Sequence, residues 1–209
     1  VETMWDTTAS GYYDSGELVV EDGKRFIKIL PKRLIVSTGA SERFVLFENN
    51  DLPGVYGAGA VQTLMNVYGV VPGDRVLMVG SGNIGLIVSY QLIQAGVDVA
   101  AVIEAAPCIG GYLVHAAKLR RAGVPILTSH TIVAAHGEEC VTGATIAKVD
   151  EKWQATPGTE CEIECDVICL AVGLMPLVDI LWQAGCEMKY VPELGGHVPV
   201  RDDNMRTSN

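Results

Sequence analysis

Apolar positions recur along the chain with two different periods, and the change of period divides it. Over the first 37 residues the apolar runs are short and punctuated by turn residues, which predicts strands over 3–9, 18–21, 25–30 and 34–37 with a turn at Asp22-Gly23. Gly and Pro then cluster at Thr38-Gly39, Leu52-Pro53-Gly54 and Gly57 to Gly59, a connection that puts a domain boundary near residue 55. From Ala60 to Tyr68 the apolar residues fall at helical spacing, and Pro72-Gly73-Asp74 ends that segment. Strand and helix then alternate: a strand over 75–79, a helix over 83–95 closed by Gly96, a nearly continuous apolar strand over 97–103, a helix over 112–122 closed by Gly123, and a strand over 126–127. That β-α-β-α-β order, with continuous apolar strands, is the order of a buried, parallel, doubly wound sheet. Residues 131–135, 141–149 and 160–165 predict a β-meander excursion around turns at Gly137 and Pro157-Gly158, and 166–172 a returning buried strand.

The helix over 83–95 opens on Gly80-Ser81-Gly82-Asn83-Ile84-Gly85. Such a glycine triplet says little alone, because with 23 glycines in the chain about 0.3 matches are expected by chance. Its surroundings give it meaning. Gly80 lets the chain turn sharply off its strand, Gly82 keeps side-chain atoms away from a pyrophosphate, and Gly85 permits close packing of helix on strand. The free N–H groups at the helix start suit a phosphate. Glu104 follows at the end of the next strand, nineteen residues after Gly85, where a carboxylate accepts hydrogen bonds from the adenosine ribose and repels a 2′-phosphate. Ala105-Ala106-Pro107 behind it offer no Arg for such a phosphate, so NADH is expected to bind in preference to NADPH.

Composition restricts the partners. Apolar residues at 49% and charged residues at 19% are those of a packed globular protein. A net charge of −10, with no run of Lys or Arg longer than two, argues against nucleic acid. No apolar stretch approaches the ~20 residues that cross a bilayer, and no charged-then-apolar leader opens the sequence, so no membrane association and a cytoplasmic location are expected. The six cysteines form no CxxC pair and read as reduced thiols. Cys161 and Cys165, four apart on a predicted strand, share a face that could bridge or bind metal, but no second pair accompanies them and no metal site is expected. His115, His130, His136 and His197 stand singly, without a nearby carboxylate, and read as surface or packing residues. The three Trp read as packing residues.

Three landmarks in order resemble the flavoprotein oxidoreductases with two dinucleotide-binding domains, the pyridine nucleotide-disulfide oxidoreductase superfamily. Ile35-Val36-Ser37-Thr38-Gly39-Ala40 is similar to the segment where the chain leaves the flavin domain. The loop from Gly80 to Gly85 is similar to that of the inserted NAD domain, and Ala171-Val172-Gly173-Leu174-Met175-Pro176 to its closing motif. Gly39-Ala40-Ser41-Glu42-Arg43, with Leu52-Pro53-Gly54-Val55 and Ala58-Gly59-Ala60, resembles the narrower group of sarcosine oxidase, opine oxidase, dye-linked proline dehydrogenase and hydrogen cyanide synthase subunits.

The resemblance implies an α/β, Rossmann-like NAD-binding domain over 56–190, flanked by strands of an FAD-binding domain over 1–55 and by a return segment over 191–209. It implies that Thr38, Gly39, Val172 and Gly173 join the loop and Glu104 around cofactor, and that FAD belongs to the intact protein, of which this chain reads as a piece. A first flavin glycine loop is absent near the N-terminus. No Cys lies between Pro53 and Gly73, where thioredoxin reductase-like members carry a redox CxxC, which argues against a disulfide relay.

Hydride transfer between nicotinamide and flavin follows from the resemblance, a reaction in which the cofactors do the chemistry and no catalytic side chain is required. A short-chain dehydrogenase would need Tyr-x-x-x-Lys, and none of the seven tyrosines has a Lys four residues on. The alternative that stands is a non-catalytic NAD-binding regulatory or assembly subunit, with a partner subunit or a second copy of the chain as partner.

Overall fold

The structure, a computed structural model, describes residues 2–209 and divides into two compact units: Val1–Ser41 with Leu174–Asn209, and Glu42–Gly173. This division by compactness falls at 41/42 and 173/174, earlier than the expected boundaries at 55/56 and 190/191.

The smaller unit begins with β1 (Thr8–Tyr12), β2 (Leu18–Glu21) and β3 (Phe26–Ile29), an antiparallel sheet in the order β1-β2-β3. The first strand lies later than the expected 3–9. Residues 34–37 form no strand: Ile35 is 91% exposed, and the segment finds no pairing partner there. A short strand at β4 (Ala40–Glu42) replaces it.

The larger unit continues with β5 (Val55–Gly57), α1 (Ala58–Tyr68), β6 (Arg75–Val79), α2 (Asn83–Gln94), β7 (Asp98–Glu104), α3 (Leu113–Arg121), β8 (Ile126–Thr128), β9 (His130–His136), β10 (Gly143–Lys148), β11 (Cys161–Ile163) and β12 (Val167–Leu170). Five strands make a parallel sheet in the order β5-β12-β6-β7-β8. Successive side chains of a strand point to opposite faces, and the core divides accordingly. Val76 and Met78 of β6, with Val167 and Cys169 of β12, pack under Val61, Leu86, Leu92 and Leu119 of the helices. Leu77 and Val79, with Ile168 and Leu170, pack on the other face against Ile132, Ala144 and Ile146. All of these are buried, and each fully buried aliphatic side chain contributes about 1.5–3 kcal/mol.

The antiparallel sheet β11-β10-β9 therefore forms the third layer of this unit, where the doubly wound expectation puts helices on both faces. Its pattern explains why: β10 is buried at five consecutive positions, so it needs cover on both sides.

The chain returns to the smaller unit through β13 (Leu174–Pro176), which pairs with β4, then α4 (Asp179–Gln183) and the hairpin β14 (Met188–Val191) and β15 (Gly196–Pro199). The expected packing role of the Trp residues is not met: Trp5, Trp153 and Trp182 are 81%, 66% and 52% exposed. Trp182 and Tyr190 instead meet the His197 ring edge-on.

Candidate functional site

In a parallel sheet the strands' carboxyl ends open a crevice where the strand order reverses, and here that point lies between β6 and β12. Gly80 N–H donates to Ile103 O (2.8 Å) and Ala171 N–H to Val79 O (2.7 Å), which ties the segments after β6, β7 and β12 together.

The three loop glycines have separate physical reasons. Gly80 has φ +106, and a Cβ there would lie 2.3 Å from Ala171 O. A Cβ on Gly85 would lie 2.1 Å from Gly80 O. At Gly82 nothing lies within 4 Å of the Cβ position, so the space beside the backbone is open. Gly82 is also the N-cap of α2, and no side chain caps the helix. The first N–H groups of α2 have no intrahelical acceptor and carry the positive end of the helix dipole.

Ser81 is wholly buried, and its backbone N–H and Oγ–H both donate to Glu104 Oε2, each at 2.8 Å. Glu104 Oε1 accepts from Ala106 N–H at 2.9 Å. With two acceptor sites on each carboxylate oxygen, Oε2 is filled and Oε1 retains one site. Gly110-Gly111, which the sequence reading passed over, packs on the loop: Gly111 N–H donates to Ser81 O (2.9 Å), and Gly110 N–H to Ser81 Oγ (3.2 Å). A Cβ on Gly111 would meet Asn83 N at 2.9 Å, a close approach that only the folded chain reveals. Asn83 Oδ1 accepts from Tyr112 N–H at 2.8 Å, joining the starts of α2 and α3.

A cleft of about 580 Å³ opens over these segments, and Gly80, Gly82, Glu104, Val172 and Gly173 line it together. Ser81, Asn83 and Gly85 stand behind the lining as support, and Ile84 sits 43% exposed on the first turn of α2. Thr38 and Gly39 are not among the lining residues. They belong to the smaller unit, where Thr38 Oγ donates to Leu177 O (2.6 Å) and Gly39 O accepts from Leu177 N–H (3.1 Å). The cleft also holds Arg43, Gly110, His130 and Thr131, none of which was expected there.

Two neighbouring features correct the sequence reading. His136 has a carboxylate partner: strand pairing brings Glu162 Oε2 to 2.9 Å from its Nε2, with Thr145 Oγ at 2.6 Å. Cys161 and Cys165 do not share an environment, because β11 ends at Ile163; Cys161 is exposed, whereas Cys165 is buried. Burial, helped by the Asp166 charge, pushes the Cys165 thiol up to about 11. Burial likewise raises the Cys169 thiol, with the Glu42 charge adding to it.

Glu42 was also missed as a capping residue. Gly57, before α1, has no side chain to cap the helix, and Glu42 supplies the acceptor from a distant part of the sequence, taking Gly59 N–H at 2.6 Å and Ala60 N–H at 3.3 Å. Gly57 makes room, since a Cβ there would collide with the Glu42 carboxylate.

The three-layer α/β unit with this crevice is a Rossmann-like domain of the kind found in FAD- and NAD-dependent oxidoreductases. A profile of the pyridine nucleotide-disulphide oxidoreductase family matches residues 1–209, and the chain belongs to that family. It is similar to the sarcosine oxidase alpha subunit of Corynebacterium sp. (strain P-1), at 28% identity over 92% of the chain and 21% of that subunit. It is similar also to the hydrogen cyanide synthase subunit HcnB of Pseudomonas aeruginosa, at 27% identity over 81% of the chain and 40% of that subunit. Both names fall in the narrower group that residues 39–60 suggest. Among solved structures, the thioredoxin reductase of T. acidophilum superposes with a TM-score of 0.75 at 20% identity, over 97% of the chain and 62% of that protein. The chain thus spans between a fifth and two fifths of the length of these curated relatives. Among the described residues no helix is long and apolar enough to cross a membrane.

Proposed function

We propose that the larger unit binds NAD(H) in the cleft, NADH in preference to NADPH. On this reading the pyrophosphate lies over Gly82 against the uncapped start of α2, and the adenosine ribose hydroxyls donate to the free acceptor site of Glu104 Oε1. The observation that carries it is the coincidence, in one cleft, of the open space at Gly82 with the Glu104 carboxylate. Ser81 and Ala106 hold that carboxylate in place before any ligand arrives, so little ordering is left to be done on binding. A 2′-phosphate would meet the same negative charge.

In the longer protein to which the relatives' lengths point, this unit is the NAD domain and the smaller unit the flavin side. Bound nicotinamide and flavin would supply the hydride chemistry, while this chain positions the nucleotide and keeps water from the cleft. Partner subunits are part of the same reading, supported by the subunit names of the relatives. The cytoplasmic location expected from the sequence belongs to it as well.

Calorimetric titration of the chain with NADH and NADPH tests the cofactor reading. NADH should bind tenfold or more tightly, about 1.4 kcal/mol; equal or tighter binding of NADPH overturns the role of Glu104. Binding of NADH without any NADH:dye oxidoreductase activity in the full-length, flavin-loaded protein would favour the non-catalytic subunit instead.

A further inference from the structure

Arg43 is the one Lys or Arg among the residues lining the cleft, and among the described residues it makes no ion pair. Its position is fixed by the main chain. Arg43 N–H donates to Gly173 O at 3.0 Å, so residue 43 is held at the segment that leaves β12. Its side chain runs past Gly173, where a Cβ would stand 3.7 Å from Arg43 Cδ. Glu104, the acidic residue of the same cleft, has its hydrogen bonds with Ser81 and Ala106 and is not the partner of this guanidinium.

The strand order says which part of a ligand Arg43 can reach. β6 and its glycine loop lie between β12, where Arg43 is tethered, and β7, which carries Glu104. Two strand spacings separate these ends, roughly 10 Å. A dinucleotide with its adenosine ribose at Glu104 and its pyrophosphate over Gly82 then presents its second phosphate and nicotinamide ribose to Arg43. The helix start offers a diphosphate dianion only partial positive charge, and a guanidinium offers a full one with a fork that matches phosphate oxygens.

We infer that Arg43 is a positioning residue that holds the nicotinamide-side phosphate of the bound dinucleotide, a second anchor separate from the glycine loop. This inference rests on the nucleotide reading of the cleft. It also assigns Arg43 away from any 2′-phosphate, which would lie at the Glu104 end.

Titration of the full chain and its Arg43→Ala and Arg43→Lys variants with NADH, ADP-ribose and AMP tests it. Arg43 is exposed and its structural hydrogen bond comes from the main chain, so both variants should melt like the parent. Arg43→Ala should weaken NADH and ADP-ribose by roughly tenfold or more, the size of a lost charge-assisted hydrogen bond, and leave AMP within about twofold because AMP lacks the second phosphate. Arg43→Lys should recover part of the loss. Unchanged NADH binding in Arg43→Ala overturns the inference, as does a parallel loss of AMP, which would put Arg43 on the adenosine side. Failure of the unsubstituted chain to bind NADH is a separate result and overturns the cofactor reading beneath it.

Discussion

Glu104 Oε2 accepts two hydrogen bonds from one residue, the backbone N–H and the hydroxyl of Ser81, both at 2.8 Å. The acid expected to receive a ribose is thus also a brace for the phosphate loop. Ser81 is wholly buried, so its two donors have no access to water in exchange.

Replacing Glu104 should therefore cost stability as well as affinity. Glu104→Ala leaves the buried donors of Ser81 unsatisfied and should destabilise the chain by about 1–3 kcal/mol, read from the urea midpoint. Ser81→Ala removes both hydrogen bonds of the hydroxyl, the one donated to Glu104 and the one accepted from Gly110 N–H, and should cost about 1–3 kcal/mol. A Glu104→Ala variant as stable as the parent would show that the brace carries no free energy.

The loop glycines should respond to Ala in opposite ways. Gly80→Ala forces a side chain to φ +106 and against Ala171 O, and Gly85→Ala drives one into Gly80 O; each should destabilise by about 2–4 kcal/mol. Gly82 has φ −64 and open space, so Gly82→Ala should fold normally. Its methyl would occupy the place proposed for the pyrophosphate, and NADH affinity should fall at least tenfold. Thermal melts and NADH titrations on the three variants separate the two effects.

Glu42 caps α1 across a long stretch of sequence. Glu42→Ala should remove about 1–2 kcal/mol of stability, the value of a capping carboxylate with its dipole interaction. Hydrogen exchange should locate the loss in the first turn of α1. Protection there equal to that of the parent would count against the cap.

Stability should fall in alkaline solution through Cys165. Its thiol is raised from 9.0 to about 11 in the folded chain, so the folded state keeps a proton that the unfolded state has lost. The contribution is present in full below pH 9 and is lost as pH rises toward 11. About two pK units correspond to roughly 2–3 kcal/mol. Urea titrations between pH 8 and 11 should show a shallower decline in Cys165→Ala than in the parent, with the Tyr and Lys background common to both.

Local pattern determined the elements whose burial is uniform. β6, bounded at Arg75–Val79, and the α2 helix behind Gly80 to Gly85 stand where periodicity puts them, because a strand buried on both faces and a glycine-bounded helix each leave a strong signature. The Gly80, Gly82 and Glu104 part of the cleft was legible for the same reason, since spacing along a βαβ unit dictates where those residues arrive, whereas Gly173 was expected there only from the resemblance of residues 171–176 to a closing motif. Register and partnership were not legible. Strand pairing alone joins His136 to Glu162, and the stacking of the antiparallel sheet on the parallel one depends on which faces remain uncovered once the helices are placed. Arg43 reaches the cleft because its N–H finds Gly173 O across the fold, and Glu42 reaches α1 because the preceding Gly57 can neither cap the helix nor block the way. The sequence by itself thus determined the framework of strand, glycine loop, helix and acid-bearing strand, since each of its parts depends on near neighbours. Only the tertiary structure decided what surrounds that framework, because those contacts form between residues that become neighbours when the layers close.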